Sequence, residues 1–316
     1  MLFLLHLTSE LLMKPIKHKL VIKVLILVAL LLISQRVSAQ PWRPVRGGIA
    51  FGISGMSVVS QKGNYVDFLI VHDNKQKNQG RLAIISIKGQ DSPAYFPIAW
   101  PSNTELPTDL EALTSIPGKN NSRFIAFSSA GKGYDFQLDS TNKTISVIKV
   151  FELTKVPADS NFEAFTLQNI TGKLVAVWAH RGADQEPATV YWGFFDLDKY
   201  QINLVGSAQI KVPFPATNVR HISDIKLDSA GILYITSASD TGDDGPFQSA
   251  VYVAGYLGLS GDKIIWRQNP QLFPIHRFNY HKIEAIELIP GANGGVVVGT
   301  DDENLGGYIY TLGESN

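Results

Sequence analysis

The stretches "DLEALTSI" (109–116), "NFEAFTLQ" (161–168) and "KIEAIELI" (282–289) are three copies of one phrase. Each places a glutamate (Glu111, Glu163 or Glu284) between an apolar residue and an alanine. The flanking residues suit a buried β-strand, and a lone carboxylate is expensive to desolvate there. Two looser copies, "GISGMSVV" (52–59) and "HISDIKLD" (221–228), put Ser54 and Ser223 at the same place. After each copy the chain repeats one order: a turn, an apolar strand, a polar loop, another strand. "DFLIVHDNK" (67–75), "RFIAFSS" (123–129), "KLVAVWAHRG" (173–182), "ILYITSASD" (232–240) and "GVVVGTDDEN" (295–304) are the second strands with their loops.

A multistrand unit recurring five times, roughly every 50 to 60 residues, predicts an all-β chain folded as a five-bladed β-propeller. A β-sandwich also has short strands and frequent turns, but it lacks internal self-similarity. Six blades remain open if "SPAYFPIAW" (92–100) or residues 199–214 hold a weaker unit; otherwise 199–219 reads as a linker. The last unit has room for three strands only. A segment near "VRGGIAFGI" (45–53) is therefore expected to supply the fourth and close the ring, which leaves no exposed edge.

The chain has 316 residues, 45% of them apolar, and a formal net charge of zero, which is a folded globular composition. Nucleic-acid binding is not expected, because it needs a basic excess. There are no cysteines, so stability must come from the core and any bound ligand. "KPIKHK" (14–19), "LVIKVLILVALLLIS" (20–34) and "VSAQ" (37–40) follow the basic, apolar and small-residue order of a secretory signal. Residues 1–39 are thus expected to be a signal peptide, with Met13 an alternative start, and 40–316 a single propeller domain. The protein is then exported, to a periplasm or the extracellular space. It has no integral membrane role unless the apolar run stays uncleaved as an anchor.

In a propeller the first strand of each blade lines the central channel. Ser54, Glu111, Glu163, Ser223 and Glu284 should then converge on one axis. Three close carboxylates require protons or a cation. A ring of hard oxygens suits calcium, which takes six to eight such ligands, and the ring offers no sulfur or imidazole to a softer metal. Asp224 replaces Ser223 if the register there is off by one. The competing reading is a channel filled with ordered water.

The loops leaving the second strands should lie at the same end. They carry His72 and Asp73, Lys132, His180 and Arg181, Asp240 and Asp301. Arg220, His221 and Lys282 come just before the inner strands. Asp73, His180 and Arg181 are the catalytic candidates, with Asp73 as general base. His72, Lys132, Arg220, His221, Asp240, Asp301 and Lys282 are the candidates for binding an anionic small molecule; arginine offers phosphate a bidentate fork. The competing reading is a set of solvated loop charges. "GISGM" is not a nucleophile elbow, and no metalloprotease, phosphate-loop or dinucleotide motif occurs.

The order serine, glutamate, glutamate, serine, glutamate on successive units resembles the soluble calcium-activated nucleotidase (apyrase) family. "SGMSVV", "VHDNK" and "GRLAIISI" resemble that family's first blade. The glutamate phrases are also similar to exported bacterial propellers of unassigned function and to esterase-like phytase domains. The resemblance implies a five-bladed propeller with central calcium and a calcium-dependent hydrolase of phosphoesters or phosphoanhydrides. One departure is local: the family's paired aspartates and arginine appear here as His72, Asp73 and Asn74. The alternative is a non-catalytic propeller that binds a carbohydrate, peptide or protein, with an ion or water filling its channel.

Overall fold

The computed structural model describes residues 42–153, 161–289 and 295–312; the signal-like segment lies outside them. The described residues are β-strands joined by turns, with two short 3-10 segments at Ile49–Phe51 and Glu303–Leu305. Strand β1 (Arg43–Arg46) comes first. The first blade is β2 (Gly55–Lys62), β3 (Tyr65–Val71), β4 (Leu82–Lys88) and β5 (Ala94–Ile98). The second is β6 (Leu110–Ser115), β7 (Arg123–Ser128), β8 (Lys132–Asp139) and β9 (Thr144–Glu152). The third is β10 (Phe162–Ile170), β11 (Lys173–His180), β12 (Ala188–Asp196) and β13 (Gln201–Ile210). The fourth is β14 (Val219–Leu227), β15 (Ile232–Ser239), β16 (Gln248–Ser260) and β17 (Lys263–Gln268), with β18 (Pro274–Asn279) also paired to the long β16. The fifth is β19 (Ile283–Leu288), β20 (Val296–Thr300) and β21 (Gly307–Thr311), completed on its outer side by β1. All these pairings are antiparallel, and the first strands of successive blades adjoin around a closed ring, with β19 reaching back to β2.

The strand sequences explain this packing. Each inner blade strand is covered on both faces, so it reads as a continuous apolar run. Successive side chains point to opposite faces. Leu69 and Val71 of β3 join the layer shared with the second blade, while Phe68 and Ile70 join the layer shared with the fifth. The other layers lie between the second and third, third and fourth, and fourth and fifth blades. The core is thus five inter-blade layers around an axis.

Two expectations change. Residues 94–98 and 201–210 are the fourth strands of the first and third blades, so the ring has five blades and 199–219 is more than a linker. The closing strand is Arg43–Arg46, which takes only the start of the 45–53 stretch. No helix of the described residues is long and apolar enough to cross a membrane.

The first strand of each blade is a sheet edge, so its backbone groups need partners from outside its own ladder. Neighbouring blades supply them. Thr114 accepts from Leu167 N at 3.3 Å, Asp224 from Ile286 N at 2.8 Å, and Glu287 from Val58 N at 3.2 Å. Asp224 therefore serves the wall between the fourth and fifth blades and does not take the place of Ser223 in the ring. Ser223 is drawn into the same wall, with its hydroxyl donating to Ile283 O at 2.7 Å.

Candidate functional site: an acid-lined channel mouth

The three glutamates occupy one structural position. Leu110 pairs with Ser128 and Ala112 with Phe127, so Glu111 is an extra residue in the ladder. Glu163 is likewise extra between Phe162 and Ala164, and Glu284 between Ile283 and Ala285. A β-bulge re-aims the extra side chain and bends the strand. Both flanking apolar residues can then stay in the core layers while the carboxylate turns away from them. Ser54 stands immediately before β2, its N–H donating to Val71 O at 3.1 Å. In β14 the register jumps between Arg220 and Asp224, leaving Ser223 outside the ladder.

The carboxylates are not equally compensated. Glu284 receives Arg220 Nη1 at 2.8 Å and Lys282 Nζ at 3.1 Å. Glu163 receives Arg181 Nη1 at 3.2 Å and lies 3.8 Å from Arg220 Nη1. Arg220 also grips Asp240 through Nη2 at 2.7 Å and Nε at 3.1 Å, and Lys282 pairs with Glu303. Burial works against the charge of Arg220 and Lys282, but Glu284 heads the carboxylates that outweigh it, so both stay firmly protonated.

Glu111 has no hydrogen bond or ion pair among the described residues. It stands instead in a trio with Asp73 and Asp109, with one oxygen of each within 4.8 Å of the others. Burial first, then the charges of Glu163 and Glu284, push the Glu111 carboxyl well above its usual range. Burial, with Glu284 and Asp109 next, raises Asp73 to about 6. Asp301 is pushed up in the same way by burial, Glu284 and Asp73. It packs so closely on the Gly52 backbone that a Cβ there would overlap its carboxylate. Only Asp109 of the trio has a cation, Lys75, at 3.0 Å.

This geometry sorts the sequence candidates. Asp73, Arg181, Arg220, Asp240, Asp301 and Lys282 do surround the glutamates. His72 is buried, its Nδ1 2.5 Å from Gly52 O and Nε2 3.1 Å from the Tyr95 hydroxyl. Burial lowers its pKa to about 4, so it braces the wall as a neutral ring rather than meeting an anion. His221 is also buried, between Asp184 O and Val212 N. His180 sets Nδ1 2.9 Å from Asn161 O. Lys132 starts β8, pairs with the exposed Glu105, and touches none of the mouth carboxylates. Asp109 and Lys75 were not candidates from the sequence. Asp109 directly precedes the "LEAL" phrase and takes a left-handed backbone (φ 62), which aspartate tolerates better than most residues.

The donor set fits a hard cation. It is all oxygen, and the separation within the trio is compatible with one ion whose ligands stand about 2.3–2.6 Å away. The buried Ser54 Oγ, in the same ring, has no hydrogen-bond partner among the described residues.

No family model matches the sequence, and none of the curated proteins does. Among solved structures, the fold is similar to an endo-arabinase from Bacteroides thetaiotaomicron, at 11% identity and TM-score 0.48, covering 87% of this chain and 98% of that one. An endo-arabinanase from Bacillus licheniformis is similar at 12% identity and TM-score 0.45, covering 85% and 96%. An endo-1,4-beta-xylanase from Bacteroides thetaiotaomicron is similar at 11% identity and TM-score 0.47, covering 86% and 94%.

Proposed function

We propose that the channel mouth binds calcium and that the protein is an exported, calcium-dependent hydrolase of small phosphoesters or phosphoanhydrides. The observation that carries the cation is the trio Asp73, Asp109 and Glu111, three carboxylates of which only Asp109 has a cation partner, Lys75. Glu111 and Asp109 would hold the ion, with Ser54 and the paired Glu163 and Glu284 as the surrounding oxygens. When bound, calcium supplies Lewis-acid polarisation of a phosphoryl oxygen. Asp73 is the proton acceptor. In the calcium-free protein, burial and the neighbouring Glu284 and Asp109 raise its carboxyl to about 6, above the ordinary range, which makes it the more basic for this role. Arg181 is tied to Glu163 through one nitrogen and is part exposed, so its other N–H groups are free to bind an anionic oxygen. The assignment to phosphate chemistry is supported by the ordered resemblance to the apyrase family.

A second reading rests on Arg220. Its charge is already shared among Glu163, Glu284 and Asp240, which favours calcium as a structural ion in a non-catalytic binding propeller. Turnover separates the two. The hydrolase should cleave p-nitrophenyl phosphate or ADP with calcium, lose activity in chelator, and lose it in Asp73→Asn while still binding calcium. Calcium binding with no turnover on either substrate would leave the structural ion.

A further inference from the structure

Three residues beyond the mouth positions, the inner strands present a second ring: Ser57, Thr114, Thr166, Lys226 and Glu287. At about 3.3 Å per residue this ring lies roughly 10 Å farther along the channel. Lys226 reaches across this ring. Its ammonium donates to Met56 O at 3.0 Å and Leu113 O at 3.2 Å, and meets Glu287 Oε2 at 3.3 Å, so one side chain of the fourth blade ties to the first, second and fifth. Beyond it is a cavity of about 500 Å³, whose walls include all five of these residues and Tyr234. That volume lies within the range of about 300–1,000 Å³ usual for small-molecule sites.

The chemistry of the walls narrows the occupant. Lys226 and Glu287 offset each other: the three donors of Lys226 are used, and Glu287 also accepts from Val58 N and Leu288 N, while a second wall carboxylate, Asp228, accepts from Ile232 N at 2.8 Å. An anion would find no free cation among the described wall residues, and Asp228 would repel it. The hydroxyls of Ser57 and Thr166 have no hydrogen-bond partner among the described residues, although each residue is only 1% exposed. The Tyr234 hydroxyl is also without one, and its ring forms part of the wall. Hydroxyls both donate and accept, so they match a ligand that does the same. We propose that this cavity binds a neutral polyhydroxylated molecule of monosaccharide size, oriented by Ser57 and Thr166 against the Tyr234 ring.

Binding in this cavity does not require a cation at the mouth and should survive excess chelator. The test is calorimetric titration and saturation-transfer NMR on the full chain, with D-glucose, myo-inositol and, as charged control, glucose 6-phosphate. The expected result is saturable binding of at least one neutral probe, tighter than the phosphate. Thr166→Val and Ser57→Ala should each weaken it about three- to tenfold, the effect of losing one hydrogen bond. If Thr166→Val fails to fold, Ser57→Ala decides. No saturable binding of either neutral probe, equal or tighter binding of the phosphate, or affinity unchanged by the substitutions would overturn the proposal.

Discussion

The mouth ring and the ring three residues deeper are built from the same five strands but differ in how their charge is handled. At the deeper ring, one ammonium, one carboxylate and two backbone carbonyls satisfy one another. At the mouth, Glu163 and Glu284 are paired by Arg181, Arg220 and Lys282, whereas Glu111 is left with Asp73 and Asp109. Charge cancelled inside the protein holds blades together. Oxygens left unsatisfied at a buried position cost stability that only a proton or a ligand recovers.

Removing the deeper charge should do the most damage. Lys226→Met leaves Glu287 buried and uncompensated and strips donors from two carbonyls; a loss of about 3–5 kcal/mol is expected in denaturant titration. The double variant Lys226→Met, Glu287→Met should recover much of that loss. A single variant as stable as the parent would show that the ion pair does not tie the blades.

The mouth should respond in the opposite direction. Glu111→Gln removes repulsion from a carboxylate that lacks a counter-charge, so in chelator the variant should be as stable as the parent or more so, by about 1 kcal/mol. The same change should abolish calcium-dependent stabilisation. A variant less stable in chelator would mean that Glu111 is compensated in solution.

pH sharpens the contrast. Asp73 titrates near 6 in the folded protein against an ordinary value of 3.8, so between those values the folded state holds more protons than the unfolded one. Calcium-free stability should therefore fall as pH rises from about 4 through 6. Asp224, raised by burial to about 8, extends the fall above neutrality. Calcium should flatten the part due to the mouth. Unfolding temperatures that rise across this interval in chelator would contradict the raised carboxyls. The smallest effect is expected at Lys75→Ala, which removes an exposed ion pair to Asp109 and should change stability by about 0–1 kcal/mol.

Much of the fold was legible because a propeller writes its period into the chain. The glutamate phrase marked the inner strands of the second, third and fifth blades, looser serine copies marked those of the first and fourth, and the isolation of each glutamate among apolar residues reflected the bulge. Strand β13 was harder to read, since its outer position leaves Leu204 and Val205 exposed and gives no buried run. At the mouth, the sequence supplied the right charged residues but not their pairing. Arg220 reaches Glu163 and Glu284 only because the ring brings the third, fourth and fifth blades together. His72 and His221 follow or begin strands and looked like rim residues; their burial depends on loops packing over them. Asp109 gave no signal except its place before the phrase.

The central claim is that the mouth holds a cation through Glu111, and thermal unfolding of the protein and of Glu111→Gln in calcium, magnesium and excess chelator tests it most directly. The account predicts a calcium-dependent rise of several degrees in the parent, lost in the variant, which in chelator should melt no lower than the parent. No rise in the parent, or an equal rise in both proteins, would contradict it.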